Sequence, residues 1–186
     1  MSMKSTIFRE VLVALALAIL VYVGINISLQ NSIVMGNSMH PNLQDGERVW
    51  VNKLAYHFGG SPKRGDIVVF KPPAQVASGE ELVKRIIGLP GEIVEIRDGR
   101  VYITQTDTTE ICLNESAYIS QPILGTYKSG VIPDGHYFVM GDNRNGSGDS
   151  RGGWTVPKSD IVGKAWLAVW PPSKWGLAPN RVPGTE

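Results

Sequence analysis

The sequence predicts a mainly β protein carried on one apolar helix: an N-terminal transmembrane helix, then a coiled antiparallel β-sheet domain with a small inserted β subdomain. Three observations predict it. An almost unbroken apolar run lies near the N-terminus, short stretches of high β propensity recur after it, and 21 glycines and 12 prolines supply turns between them.

The apolar run VLVALALAILVYVGINISL covers residues 11–29. As a helix it would be about 28 Å long, against a hydrocarbon core of about 30 Å. Asn26 and Ser28 fall at its far end, where polar side chains can meet the interface. Lys4 and Arg9 precede the run and no Lys or Arg follows until Arg48. The positive-inside bias then places residues 1–10 in the cytoplasm and the rest outside, across the cell membrane in a single pass. A cleavable secretory signal is the competing reading, because Ala14-Leu15-Ala16 offers small residues at cleavage spacing. That triplet lies inside the run, and the run exceeds the roughly 7–15 residues of a signal h-region, so an uncleaved anchor is expected. The run also lacks the polar face of a helix on a soluble core.

Candidate strands are 48–51, 67–70, 82–87, 93–96, 101–103, 137–140 and 161–169. Asp98-Gly99, between two of them, favours a tight hairpin turn. Gly59-Gly60, Pro72-Pro73, Pro90-Gly91 and Pro133-Asp134-Gly135 mark further turns. Residues 98–132 are more polar and irregular and read as the inserted subdomain, leaving 30–97 and 133–175 as the main β core. The tail, 176–186, belongs to a Pro- and Gly-rich stretch and is expected to fray at its end. Trp166, Trp170 and Trp175 read equally as membrane-interface anchors or as core aromatics.

Composition narrows the chemistry. A net charge of +1 gives no reason to expect nucleic acid. Cys112 is the only cysteine, which excludes an internal disulfide and reads as a small apolar residue. His40, His57 and His136 are scattered without ligand spacing, so no metal is expected.

Three segments carry groups that chemistry could use. In Gly36-Asn37-Ser38-Met39-His40-Pro41 a serine sits in a tight turn just beyond the anchor, with its N–H placed to face a developing oxyanion; most such serines are only turn residues. A serine nucleophile needs a base, and no histidine recommends itself. Lys84, in the apolar stretch Leu82-Val83-Lys84-Arg85-Ile86-Ile87, alternates onto the face of Leu82 and Ile86. It is either a lysine held neutral by burial or an edge lysine that snorkels and blocks aggregation. Residues 141–151, GDNRNGSGDSR, read as a solvated loop, a calcium loop, or a polar network pairing Asp149 with Arg151. The calcium reading lacks the closing Glu and helix pair of an EF-hand, and the network is favoured.

The chain resembles the bacterial type I signal peptidases. The anchor, GNSMHPNL at 36–43, RGDIVVF at 64–70, VKRIIGLPGE at 83–92 and GDNRNGSGDSR at 141–151 match that family in order. The resemblance implies a two-part β fold with Ser38 as nucleophile and Lys84 as general base. It implies that Ser147 hydrogen-bonds and orients the lysine, that Asp149 and Arg151 support the site, and that Asp142 and Arg144 have structural roles nearby. The implied substrates are signal peptides of exported preproteins, cut after small residues of the Ala-X-Ala type, with no cofactor. The bilayer and the protein-export translocon are the implied partners.

Two positions depart from the family pattern. Gly36 stands where some members carry a hydroxyl that helps build the oxyanion hole, and Asn42 replaces a common Thr, which is expected to loosen a local hydrogen bond. A substrate would add as a strand, with main-chain bonds from around 32–34 and 81–83. Val34, Met39, Leu43, Leu82 and Val83 would form shallow apolar pockets, with Gly36 beside them. The alternatives are a specialised signal peptidase with a narrow substrate set, a self-cleaving repressor-type Ser–Lys protease, and a membrane-tethered β adaptor with a dead site. The repressor type would carry a DNA-binding domain rather than an anchor, and the adaptor would lack one of Ser38, Lys84 or Ser147.

Overall fold

The structure, a computed structural model, describes residues 3–76 and 79–185. Residues 1 and 2 of the expected N-terminal segment, the Lys4 side chain and Glu186 of the tail lie outside it.

Helix α1 runs over Met3–Ser28, and its portion Ile7–Ser28 has a mean hydropathy of 2.5 with none of it buried against protein. Length and composition suit a membrane span. The helix ends where side chains compete for its carbonyls: Asn26 Nδ2 donates to Tyr22 O at 2.8 Å and Ser28 Oγ to Gly24 O at 2.7 Å. Lys53 then caps it, its Nζ donating to Asn26 O at 3.1 Å and its N–H to Ser28 O at 2.9 Å. A cation here also suits the negative end of the helix.

The remaining chain is strand and turn. One sheet contains β1 (Leu29–Ile33), β2 (Arg48–Asn52), β3 (Ile67–Phe70), β4 (Leu82–Gly88), β9 (His136–Met140), β10 (Val156–Pro157), β11 (Ile161–Trp170) and β12 (Gly176–Leu177). Its order is β1-β2-β11-β3-β4-β9-β10, with β12 attached to β11. The other sheet contains β5 (Ile93–Arg97), β6 (Arg100–Thr104), β7 (Glu110–Asn114), β8 (Tyr127–Lys128) and β13 (Gly184–Thr185), in the order β13-β7-β6-β5-β8. The smaller sheet therefore begins at Ile93 rather than at residue 98, and it recruits the tail. All pairings are antiparallel, and Asp98-Gly99 turns β5 into β6 with both residues at positive φ.

Strand β11 does most to shape the large sheet. It pairs with β2 on one edge and β3 on the other, and register shifts interrupt both ladders. Bulges bend and twist a strand. Gly163 permits the closest approach, since a Cβ there would lie 2.5 Å from Asn52 O. The sheet curls, and β1 comes round toward the start of β4, with Gln30 reaching Glu81.

The facing edges of β1 and β4 remain unpaired among the described residues. Strand β1 pairs only with β2. Strand β4 pairs with β9 only from Arg85 onward, while 82–84 bond only β3.

Three apolar clusters fill the domain. One joins Val34, Met39, Leu43 and Val83 to Val49, Val51, Ile67, Val69 and Ala168. A second lies between the sheets around Ile87, Ile103 and Phe138, and a third packs Phe70, Ile86 and Val139 with Leu82 against it. Trp166, Trp170 and Trp175 belong to none of them and are exposed.

The tail does not fray over its described length. Beyond the β12 and β13 pairings, Ala178 is buried, Asn180 Oδ1 accepts from Ile67 N at 2.7 Å, and Asn180 Nδ2 donates to Ala165 O at 2.7 Å.

Candidate active site

Ser38 sits in the turn after β1. His40 N bonds Asn37 O, and Asn42 N and Leu43 N bond Met39 O, while Met39 and Leu43 are anchored in the first cluster. The Ser38 N–H donates to nothing among the described residues, and the Ser38 carbonyl accepts from Asn143 N at 3.0 Å. Gly36 precedes it at φ +74° with its N–H bonded to Asp45 Oδ1 at 2.7 Å. That left-handed backbone favours glycine.

Lys84 meets Ser38. Its Nζ lies 2.8 Å from Ser38 Oγ and 3.1 Å from Val83 O. The residue is only 3% exposed, so it is not a snorkelling edge lysine. Burial pushes its pKa down to about 8, against the opposing pull of the Asp149 and Asp142 carboxylates. At pH 7 roughly one molecule in ten would carry a neutral amine, against fewer than about one in a thousand for free lysine. A neutral amine within hydrogen-bond reach of a hydroxyl can take its proton.

Loop 141–151 closes the site as a polar network. Arg151 Nε and Nη2 donate to Asp149 at 2.7 and 2.8 Å, and Nη2 also reaches Arg144 O at 2.6 Å. Asp149 accepts from Gly141 N at 3.1 Å, and Ser150 Oγ accepts from Val139 N at 2.9 Å, folding the loop back on β9. A Cβ at Gly141 would overlap both Ser147 Oγ and the Ser38 carbonyl oxygen. Glycine is what lets the loop, Ser147 and the serine turn converge. Among the described residues the Ser147 hydroxyl is buried without a hydrogen-bond partner, so the bond to Lys84 implied by the resemblance is not formed.

Several neighbours escaped the sequence reading. Arg85, fully buried, chelates Asp142 through Nε and Nη2 at 2.7 Å each, donates to Gly65 O at 2.8 Å and Pro179 O at 3.0 Å, and stacks 4.2 Å over the Tyr118 ring. Arg144 is held by Glu115 through two 2.6 Å bonds. The only hint was an arginine beside Lys84 in an apolar strand, a buried cation needing a carboxylate. Asn42 does not loosen the site: its Nδ2 bridges Asp142 Oδ2 at 2.9 Å and Tyr118 O at 2.8 Å.

Of the apolar wall residues, Val34, Met39, Leu43 and Val83 share one cluster, whereas Leu82 packs on the other side of β4. Among the described residues no group of His, Cys, Asp and Glu is arranged to hold a metal ion.

The site is thus a buried lysine on a serine hydroxyl, framed by a curled β-sheet, an arrangement suited to hydrolysis through a covalent serine intermediate. Residues 7–170 match the family model described as signal peptidase, peptidase S26. The chain is 38% identical over 186 residues to signal peptidase IB of Staphylococcus aureus, covering 93% of this chain and 94% of that one. It is 40% identical over 148 residues to a probable signal peptidase I-1 of Synechocystis, covering 77% and 72%. A solved signal peptidase I from Enterococcus faecalis is 33% identical, covers 56% of this chain and 96% of that one, and superposes with a TM-score of 0.47. The chain belongs to the peptidase S26 family of signal peptidases, serine endopeptidases that act on the signal peptides of preproteins.

Proposed function

We propose that Ser38 is the nucleophile and Lys84 the general base of this peptidase, and that the large sheet is its catalytic unit. The 2.8 Å contact between Lys84 Nζ and Ser38 Oγ, made by a buried lysine, carries the reading. In the first step neutral Lys84 takes the Ser38 proton while Oγ attacks the scissile carbonyl carbon. The oxyanion forms opposite the free Ser38 N–H. Collapse breaks the C–N bond, the leaving amine takes the proton from Lys84, and an ester to Ser38 remains. Lys84 then deprotonates a water that cleaves the ester, and the proton returns to Ser38. Asp149, Arg151, Asp142 and Arg144 hold the loop and the lysine strand in place, and Ser147 steadies the amine once substrate closes the site.

The substrate enters extended between the unpaired edges of β1 and β4 and adds to both. Val34, Met39 and Val83 are already buried in the free protein, leaving a shallow wall that suits small side chains at the first and third positions before the cut. This supports the Ala-X-Ala preference.

Helix α1 anchors the enzyme in the cell membrane in a single pass, with Arg9 on the cytoplasmic side and the β domain outside. The exposed Trp166, Trp170 and Trp175 face the lipid interface, and preproteins reach the slot from the export translocon. Ser38→Ala in full-length enzyme should fold normally and leave a labelled preprotein uncut when the reaction is followed by mass spectrometry. Cleavage at the wild-type rate by that variant would end the proposal.

A further inference from the structure

We propose that Gln30 and Glu81 form a clasp across the substrate slot that selects against an acidic side chain at the fifth residue before the cut. The inference rests on the Ser38–Lys84 reading above and extends it beyond the small-residue pockets.

Gln30 Nε2 donates to the Glu81 carboxylate, at 2.9 Å to Oε2 and 3.2 Å to Oε1. Gln30 lies on β1 and Glu81 just before β4, two stretches that do not pair with each other. Two side chains of this length that meet at 2.9 Å hold their backbones within about 13 Å. Neighbouring strands lie about 4.8 Å apart, so a slot one strand wide needs about 10 Å between its walls. The reach of the clasp therefore accommodates a gap one extended peptide wide.

Its place along the slot follows from register. Gln30, Ser32 and Val34 turn inward on β1 and its continuation, while Asn31 and Ile33 are exposed. Alternation puts Glu81 on the same side as the buried Val83. The clasp thus shares the wall reached by the first and third residues before the cut. The unpaired edge of β4 runs only from Lys84 back toward Glu81, because β9 occupies it from Arg85 onward. The segment before the cut must pass Glu81, and it comes from the side where α1 joins β1. Stepping back from Val34 through Ser32 to Gln30 in twos assigns the first, third and fifth residues.

Glu81 makes no ion pair among the described residues; its partner is the neutral Gln30 amide. The carboxylate at the slot mouth is therefore an uncompensated charge. An Asp on the substrate beside it meets like charge, while a neutral or basic residue does not.

The test uses full-length enzyme in detergent and four matched preproteins carrying Asp at the fourth, fifth, sixth or seventh position before the cut, each paired with its Asn counterpart and each keeping small residues at the first and third positions. The expected result is a loss of about tenfold in kcat/KM for Asp against Asn, largest at the fifth position and shrinking as salt rises. Glu81→Gln keeps an amide that Gln30 can bond, and should erase that difference, read as the ratio of kcat/KM for the Asn and Asp substrates within the variant. A position-independent penalty, or one that survives Glu81→Gln, overturns the clasp. Wild-type cleavage of the Asn substrates, lost in Ser38→Ala, reports on the nucleophile separately.

Discussion

Replacing Lys84 with Met should make the protein more stable at neutral pH while abolishing cleavage. The pKa of Lys84 falls from 10.5 to about 8 because the charged amine is buried. At about 1.36 kcal/mol per pKa unit, holding that charge in the fold costs about 3 kcal/mol at pH 7. Met fills similar volume without the charge. It forfeits the hydrogen bonds to Ser38 Oγ and Val83 O, worth about 1 kcal/mol. The net gain is about 2 kcal/mol, or roughly 4–8 °C in Tm for a chain of this size. The sign depends on pH in a defined way. Between pH 8 and 10.5 the unfolded lysine holds its proton and the folded one does not, so wild-type stability rises with pH across that window. The advantage of Lys84→Met should therefore be full at pH 7 and shrink as pH climbs toward 10. Thermal unfolding of both proteins in one detergent, at pH 7, 8, 9 and 10, measures it. A variant no more stable than wild type at pH 7, or a gap that stays constant to pH 10, would refute the reasoning that burial is what makes Lys84 a base.

Other substitutions probe the frame. Ser147→Ala removes a buried hydroxyl that has no partner among the described residues, so it should raise stability by about 1 kcal/mol in thermal unfolding while kcat falls. Gly36→Ser places a side chain at φ +74°, and although no atom lies within 4 Å of the new Cβ, strain should cost about 1 kcal/mol and lower kcat/KM instead of improving the oxyanion hole. Glu115→Gln leaves the buried Arg144 guanidinium without its carboxylate; the expected loss is about 3–5 kcal/mol in a denaturant titration, with activity falling as the loop loosens.

The central strands were legible because Val, Ile, Phe and Tyr concentrate in them, and Ile67–Phe70 has the expected bounds. The first strand was not. Its sequence, LQNSI, is polar and follows directly on the apolar helix, and only its pairing with Arg48–Asn52 makes it a strand. The two-residue strands at Tyr127–Lys128, Val156–Pro157 and Gly184–Thr185 exist through ladders to strands distant in sequence, with no local signal. At the site, motif resemblance pointed to Ser38 and Lys84 before any distance was known. The charges around them are half visible in the sequence. Asp142 and Arg144 were marked, but their partners Arg85 and Glu115 lie 57 and 29 residues away in sequence, and nothing local ties them. Gly36 was read as a missing hydroxyl, whereas its positive φ gives the position a backbone role.

The tail has a consequence for the order of events during folding. Arg85, next to Lys84, donates to the carbonyl of Pro179, and a Cβ at Gly65 would overlap the carbonyl of Arg181. Among the described residues the stretch from Gly176 to Thr185 follows the other strands in sequence, far from the strand that it supports. The frame around the strand that carries Lys84 is finished only once this stretch has docked on the large sheet through Asn180 and paired with β7. Until then Arg85 lacks one of its acceptors and the strand bearing Lys84 is incompletely held. Full support of the strand that carries Lys84 therefore waits on the docking of this stretch.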